Sequence, residues 1–159
     1  MNLVEVFNGT RVNLDDEAVA RLVARVLEAE GVAGSEVSVE FVGERRIRTL
    51  NADHRGRDEV TDVLSFPLEG AGERSGAATD GPAGPPRLLG DVVVCARQAL
   101  RQARADSLPP AFEVAVLLVH GTLHLLGYDH DTDAGQMALR QAEILELVEW
   151  EALVVATPR

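Results

Sequence analysis

The sequence predicts one β-sheet with helices packed on it, in the α/β or α+β class. Three observations carry that expectation. Four short stretches alternate apolar and polar residues or run apolar at strand length. Five further stretches repeat apolar residues at helical spacing, and the two kinds intermingle along the chain with no internal repeat.

LVEVF at 3–7 alternates and predicts the first strand. Asn13 offers a helix N-cap, and Asp15, Asp16 and Glu17 place negative charge in the first turn. Val19, Leu22, Val23, Val26 and Leu27 then follow at helical spacing until Gly31. EVSVEFVG at 36–43 sets Val37, Val39 and Phe41 on one face of a half-buried strand. Residues 44–54 predict a short helix carrying Ile47 and Leu50, and TDVLSFP at 61–67 a strand closed by Pro67. Residues 69–86 are rich in Gly, Pro, Ala and Ser, so they predict a flexible loop within one domain spanning 1–159. LLGDVVVC at 88–95 is the fourth strand, followed by a helix from Arg97 to Ala105. Phe112 to Leu126 predicts a strongly apolar, central helix. Gly135 to Val155 predicts a last amphipathic one, with Met137, Gln141, Ile144, Leu145, Val148 and Ala152 on one face.

A chain of 159 residues is long enough for a real core. No apolar run approaches the roughly 20 residues of a membrane span, so no membrane partner is expected. MNLVEVFNGT lacks the pattern of a signal peptide, and the lone Cys95 permits no internal disulfide, which together predict a cytoplasmic protein. The formal net charge of −11 excludes nucleic-acid binding through a general positive field. Any contact with RNA must use local clusters of arginine, and all 15 basic residues are in fact arginine. Its planar guanidinium suits phosphate.

HGTLHLLGYDH at 120–130 holds three of the four histidines in the pattern H-x-x-x-H-x-x-G-x-x-H. His120 and His124, four apart on a helix, project from one face. Gly127 can stop that helix and turn the chain back, bringing His130 toward the pair. Neutral imidazoles suit zinc, and three protein ligands leave one tetrahedral position for water. Metzincin proteases share the spacing but carry Glu after the first histidine; here that position is Gly121. Without that general base peptide hydrolysis is disfavoured, whereas phosphodiester cleavage depends less on it. A close neighbour, either packed chain or substrate, is expected to require the missing side chain.

HGTLHLLGYDH, with LNADHRGRDEVTDVLSFP at 50–67 and GDVVVC at 90–95, resembles the YbeY-type endoribonucleases, the rRNA maturation factors. The resemblance runs from the first strand to the last helix. It implies an α+β fold, here a single mixed sheet of about four strands with about five helices. It implies one zinc ion on His120, His124 and His130 and cleavage of single-stranded RNA. It also implies late processing of small-subunit rRNA and ribosome quality control, with the ribosomal small subunit and assembly factors as partners. Arg55 matches the family's functional arginine. His54 and Val60 depart from the family's usual Tyr and Pro and leave the local loop geometry open.

Arg55 either clamps a phosphate or pairs with Asp53 or Asp58. Arg45, Arg46, Arg48 and Arg57 crowd the same segment, and Arg97, Arg101 and Arg104 form one helical face; both sets are candidates for substrate binding or for a solvated surface. Asp62 and Ser65 lie on opposite faces of their strand, and one of them could line the cleft. Asp129 could orient a ligand imidazole or cap its turn. Tyr128 and Met137 read as packing residues, and His54 as an acid or base near Arg55 or a bystander. Two rivals remain: a metzincin-like hydrolase of peptides, and a non-enzymatic assembly factor whose zinc is structural, with Cys95 as fourth ligand.

Overall fold

The computed structural model describes residues 1–68 and 86–155. Most of the loop expected over 69–86 lies outside them. The chain runs β1 (Leu3–Asn8), α1 (Asp16–Ala29), β2 (Ser35–Val42), α2 (Glu44–Arg55), β3 (Val63–Pro67), β4 (Arg87–Cys95), α3 (Ala96–Asp106), α4 (Pro110–Leu125) and α5 (Gln136–Leu145). The four strands form one mixed sheet in the order β1-β2-β4-β3. β2 pairs parallel with both β1 and β4, and β3 pairs antiparallel with β4. The α+β expectation holds, and no helix among the described residues is long and apolar enough to cross a membrane.

Strand parity divides the core. Val37, Val39 and Phe41 of β2 and Val92 and Val94 of β4 face α1, α3, α4 and α5 in one large apolar cluster. Val42, Val93, Cys95 and Leu64 face the other way and meet Ile47 of α2. Each large aliphatic side chain so buried contributes about 1.5–3 kcal/mol. α4 is apolar nearly all round, with Val114, Leu117, Leu118, Leu123 and Leu125 among its buried residues, and it packs on β3, β4, α1, α3 and α5. Pro110 stands in its first turn, where a proline loses no helical hydrogen bond.

Two of the boundaries that differ from the sequence expectation trace to one contact. The N-cap of α1 is Asp15, whose carboxylate accepts from the Ala18 N–H at 3.1 Å. Asn13 cannot cap, because Leu14 is held extended in a bridge with Val154. The Asn13 carbonyl accepts from Val155, and the Leu153 carbonyl accepts from the Asp15 N–H. The same pairing ends the last helix early. α5 stops at Leu145, and Leu153, fully buried, replaces the exposed Ala152 as the inward-facing residue.

Gly121 is buried where α4 crosses the sheet. A Cβ there would stand 2.7 Å from Val92 Cγ1, 3.2 Å from Ser65 Oγ and 3.3 Å from Val63 Cγ2. Packed chain, not substrate, therefore requires the missing side chain. A Glu at 121 would point into β3 and β4, where it could serve no base function.

Gly121→Ala returns about 1 kcal/mol of helix propensity and forces an overpacking cost of about 1–3 kcal/mol against the stiff Val92. Urea denaturation should show a net loss of stability for this variant and a larger one for Gly121→Glu. Parental stability in both would mean that the helix is not pinned here.

Candidate metal centre

The site sits at the carboxyl end of α4. His120 and His124 occupy its last two turns, both half-buried. The helix then ends through Leu126 and Gly127, whose φ of 102° a side chain would disfavour. The turn that follows returns His130 to the pair. Ring centroids are 4.6 Å apart for His120 and His124, 5.5 Å for His120 and His130, and 5.4 Å for His124 and His130. One nitrogen from each ring lies within 4.8 Å of the others, and these three residues could hold a metal ion.

The hydrogen bonds fix which nitrogens are free. His124 Nδ1 lies 2.9 Å from the Tyr128 carbonyl oxygen, which can only accept. Nδ1 therefore carries the proton, and Nε2 keeps its lone pair. His120 Nδ1 lies 3.0 Å from Gln141 Oε1, which assigns the same tautomer. The two Nε2 atoms then face each other at 3.1 Å as bare acceptors. Two lone pairs repel at that distance unless a cation stands between them. A tetrahedral zinc with bonds of about 2.0–2.1 Å spaces its nitrogens about 3.3 Å apart. The donor set fits a borderline cation such as zinc.

Burial pushes the His124 imidazole below its ordinary pKa, and the nearby His120 adds to this. The shift favours the neutral form that a metal needs. Arg55 lies close enough for its charge to lower the same group. Chain direction explains the approach: α2 leaves β2 through the single residue Gly43, runs back along the sheet and ends at Arg55. Among the described residues Arg55 makes no ion pair with Asp53 or Asp58, and Asp58 is taken by Arg48 at 2.7 Å.

The other sequence candidates scatter. Ser65 faces α4, and its hydroxyl donates to the Gly121 carbonyl at 2.9 Å. Asp62 is a strand-end polar contact that accepts from Val63 and from Gln102. Asp129 caps its turn by accepting from the Asp131 N–H at 3.0 Å, and the side chain beside His130 is Asp131 at 3.3 Å. His54 packs edge-on against Phe66, and Met137 is core. Arg57 is exposed just past Arg55, while Arg45 and Arg46 stand at the far end of α2, about 15 Å of helix away. Arg97, Arg101 and Arg104 lie on α3, where Arg101 bonds Glu44 and Gln98. Cys95 lies in the α2-side cluster, outside the histidine group, and burial raises its thiol pKa.

Sequence reasoning missed what orients the imidazoles. Helical spacing puts Gln141 on the core face, and the signal for its role is a polar residue four positions from buried Met137 on that face. Tyr128 does more than pack. Its hydroxyl donates to Glu30 at 2.8 Å, and Arg140 bonds the same carboxylate and the Ala29 carbonyl. α1, α5 and the turn carrying the Tyr128 carbonyl are thereby tied together.

Gln141→Leu removes the acceptor on His120, so zinc affinity measured by chelator competition should fall about 10–100-fold with the circular dichroism spectrum unchanged. Unchanged affinity would show that Gln141 does not orient the ring.

A family model described as Endoribonuclease YbeY matches residues 6–149. The Endoribonuclease YbeY of Moorella thermoacetica is 48% identical over 79% of this chain and 81% of its own length. That of Chloroflexus aurantiacus is 40% identical over 91% and 94%. A longer relative from an Anaeromyxobacter species is 45% identical, and the match covers 86% of this chain and 65% of that protein. The solution structure of TM1509 from Thermotoga maritima superposes with a TM-score of 0.61 at 26% identity, over 91% of this chain and 87% of that one. The chain belongs to the Endoribonuclease YbeY family.

Proposed function

We propose that the protein is a zinc-dependent endoribonuclease of the cytoplasm. Its substrate would be single-stranded RNA, in late small-subunit rRNA maturation and ribosome quality control, with the ribosomal small subunit and assembly factors as partners. The observation that carries the reading is the pair of Nε2 lone pairs facing each other at 3.1 Å, with both Nδ1 atoms already committed. His120, His124 and His130 would hold the ion. Zinc bound there supplies Lewis acidity toward a phosphoryl oxygen and makes a coordinated water more acidic.

The protein's own groups supply the rest. Arg55, unpaired among the described residues and near His124, would bind a phosphate oxygen of the scissile or a flanking nucleotide and offset the charge gained at phosphorus. Its guanidinium can donate two parallel N–H bonds to one phosphate. Gln141 and the Tyr128 carbonyl hold the imidazoles in the ligating tautomer. Gly121 leaves no general base beside the first histidine, which weighs against peptide hydrolysis. Cys95, packed with Val42, Ile47 and Leu64, weighs against a closed structural site.

The test is cleavage of a labelled single-stranded RNA by zinc-loaded protein beside His124→Ala and Arg55→Ala, purified identically. The parent should cut, His124→Ala should be inactive while folded, and Arg55→Ala should lose about 10²–10³-fold in rate. Equal cleavage by all three would assign the activity to a contaminant and sink the reading.

A further inference from the structure

The parallel strands β1, β2 and β4 end at one edge of the sheet, away from the histidines. A cleft of about 650 Å³ opens there, within the size range of small-molecule sites, about 300–1,000 Å³. Crevices at the carboxyl ends of parallel strands are recurrent ligand sites. Pro110, at the start of α4, lines this cleft. His124 lies fourteen positions further along the helix, about 21 Å of rise away.

Two arginines from different elements line the cleft: Arg11 from the β1–α1 connection and Arg97 from the first turn of α3. Neither guanidinium makes a hydrogen bond or ion pair among the described residues. The carboxylate on the cleft wall, Glu44, is taken by Arg101. A chain of net charge −11 thus lines one concavity with two arginines free of ion pairs and a single carboxylate already paired. The segment carrying Arg11 is built to hold its shape. Asn8 donates to the Val12 carbonyl at 2.9 Å and accepts from the Thr10 N–H and hydroxyl at 2.9 and 2.7 Å. The Thr10 hydroxyl in turn accepts from the Val12 N–H at 3.2 Å. The remaining wall is apolar, with Val12, Leu100, Pro110 and Val154.

We propose that this cleft binds a nucleoside phosphate. Arg11 and Arg97 clamp the phosphate, and the apolar wall receives the base. Arginine pairs favour phosphate because each can offer two parallel donors to it. A free nucleotide and the phosphorylated end of an RNA strand share this chemistry. The site does not depend on the metal, so it stands or falls apart from the proposed nuclease activity.

The test is a titration of ¹⁵N-labelled, zinc-loaded protein with uridine 5′-monophosphate, uridine, inorganic phosphate and a 5′-phosphorylated trinucleotide. The nucleotide should shift the amides of Gly9, Thr10, Gly43 and Leu100 saturably. The double substitution Arg11→Gln/Arg97→Gln should weaken it at least tenfold, with the rest of the spectrum unchanged. Uridine and phosphate alone should each bind at least tenfold more weakly. Tighter binding of the trinucleotide would mark a strand end as the occupant, and equal binding a free nucleotide. Shifts confined to the surroundings of the three histidines, or full affinity in the double variant, would overturn the proposal. So would phosphate binding as tightly as the nucleotide.

Discussion

The contact between α4 and the sheet at Gly121 governs the rest of the structure. With no side chain there, the helix settles against Val92, Val63 and Ser65, and Ser65 binds the Gly121 carbonyl directly. That fixes both the depth of the helix and its rotation. His120 precedes Gly121 by one position, so the rotation that turns residue 121 into the sheet turns His120 and His124 toward the turn and α5. Protein interiors pack at crystal-like density, and the placement of the histidines inherits that rigidity.

The site is assembled from parts that the sheet keeps apart. α4 belongs to the large cluster on one face, and α2 packs on the other. β3 is the edge strand between them, short enough for the end of α2 to bring Arg55 within electrostatic reach of His124. On the far side Arg140 and Gln141, adjacent on α5, do separate jobs. Arg140 anchors the helix to Glu30 and Ala29, and Gln141 meets His120. Imidazoles that could hold a metal are commonly oriented by such outer partners, and those of His120 and His124 come from α5 and the turn itself.

What could be read in the sequence was local. Strand alternation, the apolar run of α4, the histidine spacing and the Gly127 stop all act within one element or turn, so their patterns are visible without the fold. What escaped was long-range. The Leu14–Val154 bridge joins the two ends of the chain and overrides the capping signal at Asn13 and the helical period beyond Leu145. The partner of His120 lies 21 residues away on another helix, and no spacing rule reaches it. Asp129 is next to His130 in sequence, yet its carboxylate turns back to the Asp131 N–H. Of the candidate arginines, Arg55 is the one whose charge bears on His124, because helix direction, not sequence crowding, decides which end of α2 meets it.

The proposed site has three imidazoles holding a metal ion with one position left open. X-ray absorption at the zinc edge of the loaded protein tests it most directly. The expected result is one zinc per chain with three imidazole nitrogens at about 2.0–2.1 Å, one further oxygen ligand and no sulfur. A sulfur scatterer at about 2.3 Å, or fewer than three imidazoles, would contradict it.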